Sequence, residues 1–152
     1  MIIDNIQFLI QEINYTPRDL LNHDAIGAIV KNENNEILML DHVKYDFWTI
    51  PVGKAEHLQS ASSALKQELF EEVNIKITSF KLLDKQSLVY SRGEGNPSVQ
   101  VTEHLFEVLT YTGIPENKEP HKHRDMRFMS IDQIKKLPRI SNFTKTMFNY
   151  IK

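Results

Sequence analysis

A helix-forming segment at residues 59–73 lies between stretches of the chain that favour strands, and this alternation narrows the range of folds. The segment is rich in alanine, leucine and glutamate, and Ser60 is its expected N-cap. The stretches at 75–90 and 99–110 are rich in β-branched and aromatic residues and flank a turn-prone loop at 92–97, which predicts two long strands. Strands and helices that mingle in this way predict an α/β fold.

A β-hairpin is expected upstream of this helix. Residues 23–30 form an apolar strand, 32–35 are turn formers, and 36–40 form the returning strand. A short extended stretch at 47–51 then leads towards the helix. The first half of the chain is therefore predicted to supply three strands.

Both ends of the chain carry helical signals. Apolar residues at helical spacing near the start predict an amphipathic helix that ends near Asn14. These residues are Ile2, Ile6, Leu9 and Ile13. Near the other end, a polar stretch at 113–125 and a short strand at 127–129 precede a helix opened by Ser130 or Asp132, and a last helix is capped by Ser141.

Composition excludes several classes of protein. The chain of 152 residues has the length of one domain, which we expect to span 1–152. Its 18 basic and 20 acidic residues give a net charge of -2, which argues against binding of duplex nucleic acid. The chain contains no run of about 18 consecutive apolar residues, so no membrane-spanning helix is predicted. The absence of cysteine is typical of the cytoplasm and leaves only oxygen and imidazole as metal ligands.

Three carboxylates lie close together on the central helix. Glu68, Glu71 and Glu72 stand at positions i, i+3 and i+4, where like charges destabilise a helix by about 0.2–0.5 kcal/mol per pair. Acidic residues near a helix C-terminus also oppose the macrodipole. A Mg²⁺ ion would relieve both conflicts, because it prefers carboxylate oxygens and completes its shell with water and phosphate. An ordinary solvated acidic face is the alternative explanation of these three residues by themselves.

The residues around the acidic cluster resemble the Nudix box. That pattern reads Gly, five residues, Glu, seven residues, Arg-Glu, an aliphatic residue, any residue, Glu-Glu, any residue, Gly and an aliphatic residue. The matching positions are Gly53, Glu68, Leu69, Glu71, Glu72 and Ile75, with Trp48, Pro51 and Glu56 in the usual lead-in. Gln59 replaces the glutamate, Gln67 the arginine and Asn74 the glycine, while Val52 stands where a second glycine is common. A long gapped match of this kind is far more specific than a short motif.

The resemblance implies a fold, a cofactor and an activity. It implies an α/β/α sandwich with a mixed β-sheet, and a pyrophosphohydrolase acting on a nucleoside diphosphate linked to another moiety. Glu68 and Glu72 would bind Mg²⁺, or Mn²⁺ as a substitute, with Glu71 assisting both in metal binding and in catalysis. The backbone carbonyl of Val52 would be a further ligand. Many relatives dimerise, so a homodimer is left open.

The resemblance leaves the general base and the substrate contacts open. Glu119 in the late polar loop is one candidate base and Glu72 the other. Candidate contacts to the substrate are Gly53, Lys54, Arg92, Lys122, Arg124 and Arg127. Trp48, Phe128 and Tyr90 could stack on the nucleobase of the substrate, although Trp48 and Phe128 are expected in the core. His121 and His123 are expected to be solvated rather than ligands.

Two other functional classes compete with the enzyme. The first is a nucleotide-binding or regulatory domain without turnover, which is suggested because Gln59 and Gln67 replace a glutamate and an arginine of the pattern. An unrelated interaction module with an acidic face would require the spaced match to be a coincidence. The three retained glutamates favour catalysis over the binding domain. The match of widely spaced positions to the Nudix box argues against the interaction module.

Overall fold

A computed structural model describes residues 22–90 and 99–151 of the chain. The strands are β1 Asn22–Ile29, β2 Ile37–His42, β3 Phe47–Thr49, β4 Val52–Lys54, β5 Lys76–Tyr90, β6 Val99–Thr112 and β7 His123–Met129. The helices are α1 Ala61–Val73, α2 Ile131–Lys135 and α3 Asn142–Met147. The helix expected before Asn14 and the loop expected at 92–97 lie outside the described residues.

The strands divide between two sheets. One has the order β4-β1-β6-β5, in which β1 and β6 run parallel and the other pairs run antiparallel. The second has the order β3-β2-β7 and is antiparallel throughout. The prediction of an α/β fold with a mixed sheet is confirmed.

The expected hairpin is correct in its strands and turn but wrong in its pairing. Asn35 adopts a left-handed conformation in the turn, and the side-chain oxygen of Asn32 accepts hydrogen bonds from the backbone N–H groups of Asn34 and Glu36. Beyond one bridge between Lys31 and Ile37, however, β1 and β2 enter different sheets. β4 and β6 occupy the two edges of β1, so a second strand has no edge left to pair with.

Helices cover both faces of the strand layer. Alternate residues of β1 point in opposite directions, as they do in any strand. Ile26 and Ala28 pack in one apolar cluster with Leu65 and Leu69 of α1. Ala25 and Ile29 pack in a second cluster with Phe143 of α3, and Ile134 of α2 also belongs to it. This arrangement is the predicted α/β/α sandwich.

The predicted helix caps are confirmed. Ser60, Ser130 and Ser141 each accept a hydrogen bond from the backbone N–H three residues on. Ser130 rather than Asp132 therefore opens α2. At the other end of α1, Asn74 has φ 63° and donates its backbone N–H to the Phe70 carbonyl, as expected for an asparagine in place of glycine.

A buried hydroxyl network ties α3 to β3. The Oγ1 of Thr49 lies 2.7 Å from the Oγ of Ser141, which lies 2.9 Å from the Oγ1 of Thr144. Thr144 also accepts a hydrogen bond of 3.0 Å from the backbone N–H of Ile50. These hydroxyls satisfy buried polar groups just before the strand that enters the candidate site. None of the helices in the described parts of the chain has the length and apolar character needed to cross a membrane.

Candidate active site

The three acidic residues of α1 differ in burial. Glu72 is buried, with only 6% of its surface exposed, whereas Glu68 is half-buried and Glu71 is exposed. Residues four apart lie almost above one another on an α-helix, while adjacent residues are rotated by about 100°. Glu68 and Glu72 therefore share a face. Glu71 lies at its exposed edge, where its charge raises the pKa of Glu68 and its carboxylate accepts a hydrogen bond of 2.9 Å from Gln67.

Glu72 is an unusual buried carboxyl group. Its Oε2 is buried and has no hydrogen-bond partner within the described residues. Burial, and then the negative charges of Glu68 and Glu119, raise the pKa of Glu72 well above its ordinary value of 4.5. Burial also raises the pKa of Glu68, although a hydrogen bond with Glu72 works in the opposite direction. The pair is therefore suited to exchange a proton for a cation.

Gly53 of β4 allows Glu68 to approach this strand. A Cβ added at Gly53 would lie 2.6 Å from Cγ, 2.8 Å from Cδ and 3.0 Å from Oε2 of Glu68. Any side chain at this position would thus displace the carboxylate. Val52, the preceding residue, is buried and lines the same cavity as Glu68 and Glu72.

The loop after β6 is docked on the C-terminal end of α1. The last carbonyls of a helix have no partners within the helix and must find donors elsewhere. Here the backbone N–H of Glu116 donates to the Val73 carbonyl at 2.9 Å, and that of Lys118 donates to the Glu72 carbonyl at 3.0 Å. This docking places Glu119 beside the buried carboxyl groups, whose pKa values its charge raises.

Lys122 supplies positive charge at this end of the site. Its Nζ lies 3.1 Å from Oε2 of Glu119. Burial acts to lower the pKa of Lys122, but the hydrogen bond with Glu119 and the charges of Glu119, Glu72 and Glu68 outweigh it and raise the pKa. The ammonium group is therefore charged at neutral pH.

A cavity of about 530 Å³ connects the carboxylates to a group of aromatic side chains. Glu56, Glu68 and Glu72 line one part of it. The remaining lining residues are Leu40, His42, Val43, Lys44, Tyr45, Thr49, Val52, Gly53, Lys54, His121, Lys122 and His123. This volume falls within the range of small-ligand sites.

Two histidines in the cavity wall were missed or misjudged from the sequence. His123 is only 3% exposed and pairs with His42 across β7 and β2, so the expectation that it is solvated is wrong. β7 begins four residues earlier than predicted, which takes His123 out of the loop. The ring centroids of His42 and His123 lie 5.5 Å apart, and burial lowers both pKa values to about 4. Both rings are therefore neutral at pH 7.

Tyr45 was also missed by the sequence analysis. Its ring lies 5.0 Å from that of His42 and 5.8 Å from that of Phe47, and it is buried in the same wall. Tyr45 lies between β2 and β3 and is flanked by Lys44 and Asp46, so the sequence indicated a polar connection there and not a buried ring. Only the pairing of β2 with β3 and β7 brings these rings together.

The other predicted contact residues occupy different surroundings. Lys54 and Lys122 line the cavity. Arg124 is paired with Asp41 and Asp46, and Arg127 with Asp125 while its guanidinium also lies over the Trp48 ring. Trp48 and Phe128 are partly buried against the two apolar clusters, as expected. Arg92 and the side chain of Tyr90 lie outside the described residues.

The fit of a divalent cation rests on the carboxyl pair. Among residues 22–90 and 99–151, no three acidic or imidazole side chains surround one point closely enough to hold a metal ion alone. Glu68 and Glu72 nevertheless supply adjacent hard oxygens, one of them without a partner. Mg²⁺ usually keeps several waters and needs only one or two carboxylates with substrate phosphate. The residues present fit such an ion.

Comparison with known proteins identifies the family. The NUDIX domain pattern matches residues 21–150. The 8-oxo-dGTP diphosphatase of Proteus vulgaris is 37% identical over 65 residues, which are 41% of this chain and 58% of that protein. The RNA pyrophosphohydrolase of Ruthia magnifica subsp. Calyptogena magnifica is 28% identical over 60 residues, which are 40% of this chain and 34% of that protein. This chain thus matches less than two thirds of the length of either relative.

A solved structure agrees with the fold. The MutT NUDIX hydrolase from Burkholderia pseudomallei superposes with a TM-score of 0.70 over 86% of this chain and 98% of that chain, at 19% sequence identity. The family pattern covers most of the chain, and the mixed α/β fold agrees with that of the solved structure. The chain therefore belongs to the NUDIX family.

Proposed function

We propose that this protein is a divalent-metal-dependent pyrophosphohydrolase that cleaves a nucleoside diphosphate linked to another moiety. The observation that carries the proposal is the buried Glu72, whose unpartnered Oε2 adjoins Glu68 at a cavity of ligand size. A buried polar atom without a hydrogen-bond partner is destabilising in itself. A bound cation would offset that cost.

We assign the metal to Glu68 and Glu72, with Glu71 assisting and the Val52 carbonyl as a further oxygen donor. Mg²⁺ is the expected ion and Mn²⁺ its substitute, because carboxylate, carbonyl and water oxygens suit both. When bound, the ion supplies neutralisation of the pyrophosphate charge and activation of a water for attack at phosphorus. Gly53 leaves room for Glu68 at this position.

We assign the general base to Glu119, with Glu72 as the alternative. Glu119 is less buried than Glu72 and remains near the carboxyl pair through the docked loop. A base must be able to accept a proton within hydrogen-bond reach of the attacking water. Glu72 is less suited, because cation binding would occupy its oxygens.

The basic residues of the cavity would bind the phosphates of the substrate, and the aromatic wall of the cavity would contact its nucleobase. Lys54 and Lys122 line the cavity and can make charge-assisted hydrogen bonds to phosphate oxygens. The neutral rings of His42 and His123 add hydrogen-bonding and stacking surface without adding charge. Nucleoside triphosphates, dinucleoside polyphosphates and ADP-ribose are the substrates to test first. The cysteine-free composition is in keeping with a single domain that works in the cytoplasm.

An activity assay with Mg²⁺ tests the proposal. Purified protein is incubated with nucleoside triphosphates, 8-oxo-dGTP, dinucleoside polyphosphates, ADP-ribose and flavin dinucleotide, and the phosphate-containing products are measured. We expect turnover of at least one compound, and a loss of at least 100-fold in Glu72→Gln, in line with the removal of a group central to catalysis. Glu116→Gln, an exposed residue of the docked loop, is the control and should retain activity.

The same assay decides against the alternative of a binding domain without turnover. Nucleotide binding in the presence of several divalent metals, without product from any compound in the panel, would favour that alternative. Turnover that is insensitive to Glu72→Gln would contradict the assignment of the metal site.

A further inference from the structure

Two departures from the box pattern are connected to each other in the structure. The backbone N–H of Glu56 donates to Oε1 of Gln59 at 2.9 Å. The Nε2 of Gln59 donates to Oε1 of Gln67 at 2.7 Å, and the Nε2 of Gln67 donates to Oε1 of Glu71 at 2.9 Å. A single hydrogen-bonded chain, which we call the amide relay, thus runs from the backbone at Glu56 to the Glu71 carboxylate.

The two ends of the amide relay determine the orientation of both amides. The backbone N–H of Glu56 can only donate, and the ionised Glu71 carboxylate can only accept. Each residue between them must therefore accept on one side and donate on the other. A primary amide has both functions, whereas a carboxylate only accepts and a guanidinium only donates.

We propose that Gln59 and Gln67 are positioning residues that orient Glu71 through the amide relay and that they act only as a pair. The box pattern has a glutamate and an arginine at these two places, so this chain uses a neutral pair where the pattern has a charged one. The two bonds of Gln59 join neutral groups and have roughly half the strength of charge-assisted ones, whereas the bond to Glu71 has one ionised partner. The relay therefore orients Glu71 without placing a cation beside it, which leaves its negative charge for the metal; this last step rests on the proposed function.

The proposal predicts a particular pattern of compensation. In Gln59→Glu, the new carboxylate cannot donate to Gln67, so Gln67 must either lose that bond or turn its oxygen towards Glu71. In Gln67→Arg, the guanidinium meets the donating amide of Gln59. In the double variant, Glu at 59 accepts from the Glu56 backbone and Arg at 67 donates to both carboxylates, so every contact is restored.

A neutral double-mutant cycle tests the pairing without changing charge. Gln59→Met, Gln67→Met and the double variant are compared by calorimetric titration with Mn²⁺ in the absence of nucleotide. We expect each single variant to bind Mn²⁺ about 3- to 10-fold more weakly, from the loss of an interaction of about 1 kcal/mol. We expect Gln59→Met to have no further effect when Gln67 is already methionine. Independent effects that multiply in the double variant would overturn the proposal.

The charged exchange provides the second arm. Gln59→Glu adds a negative charge near the metal and would tighten Mn²⁺ binding if only charge mattered, whereas the relay predicts weaker binding. Gln59→Glu with Gln67→Arg should return to within about twofold of the wild type, a difference of roughly 0.4 kcal/mol or less. Gln86→Glu, on the exposed surface of β5, controls for an added carboxylate and should not weaken binding. Tighter binding in Gln59→Glu would refute the relay.

Failure of the proposed function gives a different result from failure of the relay. If the wild type takes up no Mn²⁺, the metal assignment fails, and the same two cycles are then scored by the midpoint of urea unfolding. Restoration of the midpoint in the Glu–Arg double variant would support the pairing in that case. Strictly additive midpoint shifts would overturn the pairing.

Discussion

Replacement of Gly53 by alanine should separate metal binding from stability. The added Cβ would lie 2.6 Å from Cγ of Glu68, and that carbon must retreat by about 0.8 Å to reach the 3.4 Å of an ordinary contact. Glu68 is a flexible side chain and can move, so the fold itself has no reason to fail. The carboxylate that we assign to the metal would move with it.

The sizes of the two effects follow from this geometry. An alanine in a strand is favoured over glycine by about 0.5–1 kcal/mol, because the unfolded chain has less freedom. A side chain pushed away from its rotamer costs about 0.5–1.5 kcal/mol. The free energy of unfolding should therefore stay within about 1 kcal/mol of the wild type. Loss of a well-placed ligand should weaken Mn²⁺ binding by at least the 10- to 100-fold typical of disturbed metal sites.

Gly27→Ala is the matched control for this experiment. A Cβ at Gly27 would lie 2.6 Å from Cδ1 and 2.9 Å from Cγ of Phe143, which is 2% exposed and held in the core. Overpacking of this kind should destabilise the fold by about 1–3 kcal/mol, with Mn²⁺ affinity of the folded protein little changed. The two measurements are urea unfolding and calorimetric titration. Unchanged Mn²⁺ affinity in Gly53→Ala would refute the placement of Glu68 as a ligand.

Three further predictions concern stability. Because burial raises the pKa of Glu72 well above 4.5, the folded chain holds a proton that the unfolded chain releases above about pH 4.5, and stability falls as pH rises from there towards the raised pKa. In metal-free buffer, the urea midpoint of Glu72→Gln should therefore exceed that of the wild type by a margin that grows as pH rises above about 4.5. A margin that shrinks would contradict this. The pKa of His123 is 6.5 in the unfolded chain and about 4 in the folded one, so stability falls as the pH is lowered through this range. From pH 7 to pH 5, the wild type should lose about 2 kcal/mol more free energy of unfolding than His123→Phe. Equal losses in the two proteins would disprove this. Thr144→Val leaves the buried N–H of Ile50 unpaired and should cost about 1–3 kcal/mol, measured by urea unfolding, whereas Thr146→Val leaves no buried donor unpaired and should cost less.

The helices of the described region could be predicted because their signals are local. Ser60, Ser130 and Ser141 cap the nearest backbone N–H groups, and Asn74 ends α1 through its own left-handed conformation. Such features depend on a few neighbouring residues. The strands were also predictable in extent, with two exceptions: β7 starts early, and the single stretch expected at 47–51 is β3, followed by a fourth strand, β4, that was not predicted. Their partners were not, because the pairing of β1 with β6 joins residues far apart in the chain.

The candidate site also has features that were predictable from local spacing and features that depend on contacts between distant segments. The spacing of Glu68 and Glu72 places them on one face of any helix that contains them, so the residues alone determined the carboxyl pair. The burial that leaves Oε2 of Glu72 without a partner, and the approach of Glu68 to Gly53, depend on how β4 packs against α1.

Three things about this protein were determined by the residues themselves: the helix that carries the acidic cluster, the caps that begin and end it, and the family to which its spacing belongs. Only the tertiary structure decided that His42 and His123 face each other in the cavity wall, that Glu119 reaches the carboxyl groups, and that Gln59 and Gln67 form one relay to Glu71. Helix spacing and capping act within one or two turns of the chain. Contacts between a strand, a docked loop and a helix exist only after distant segments have packed together.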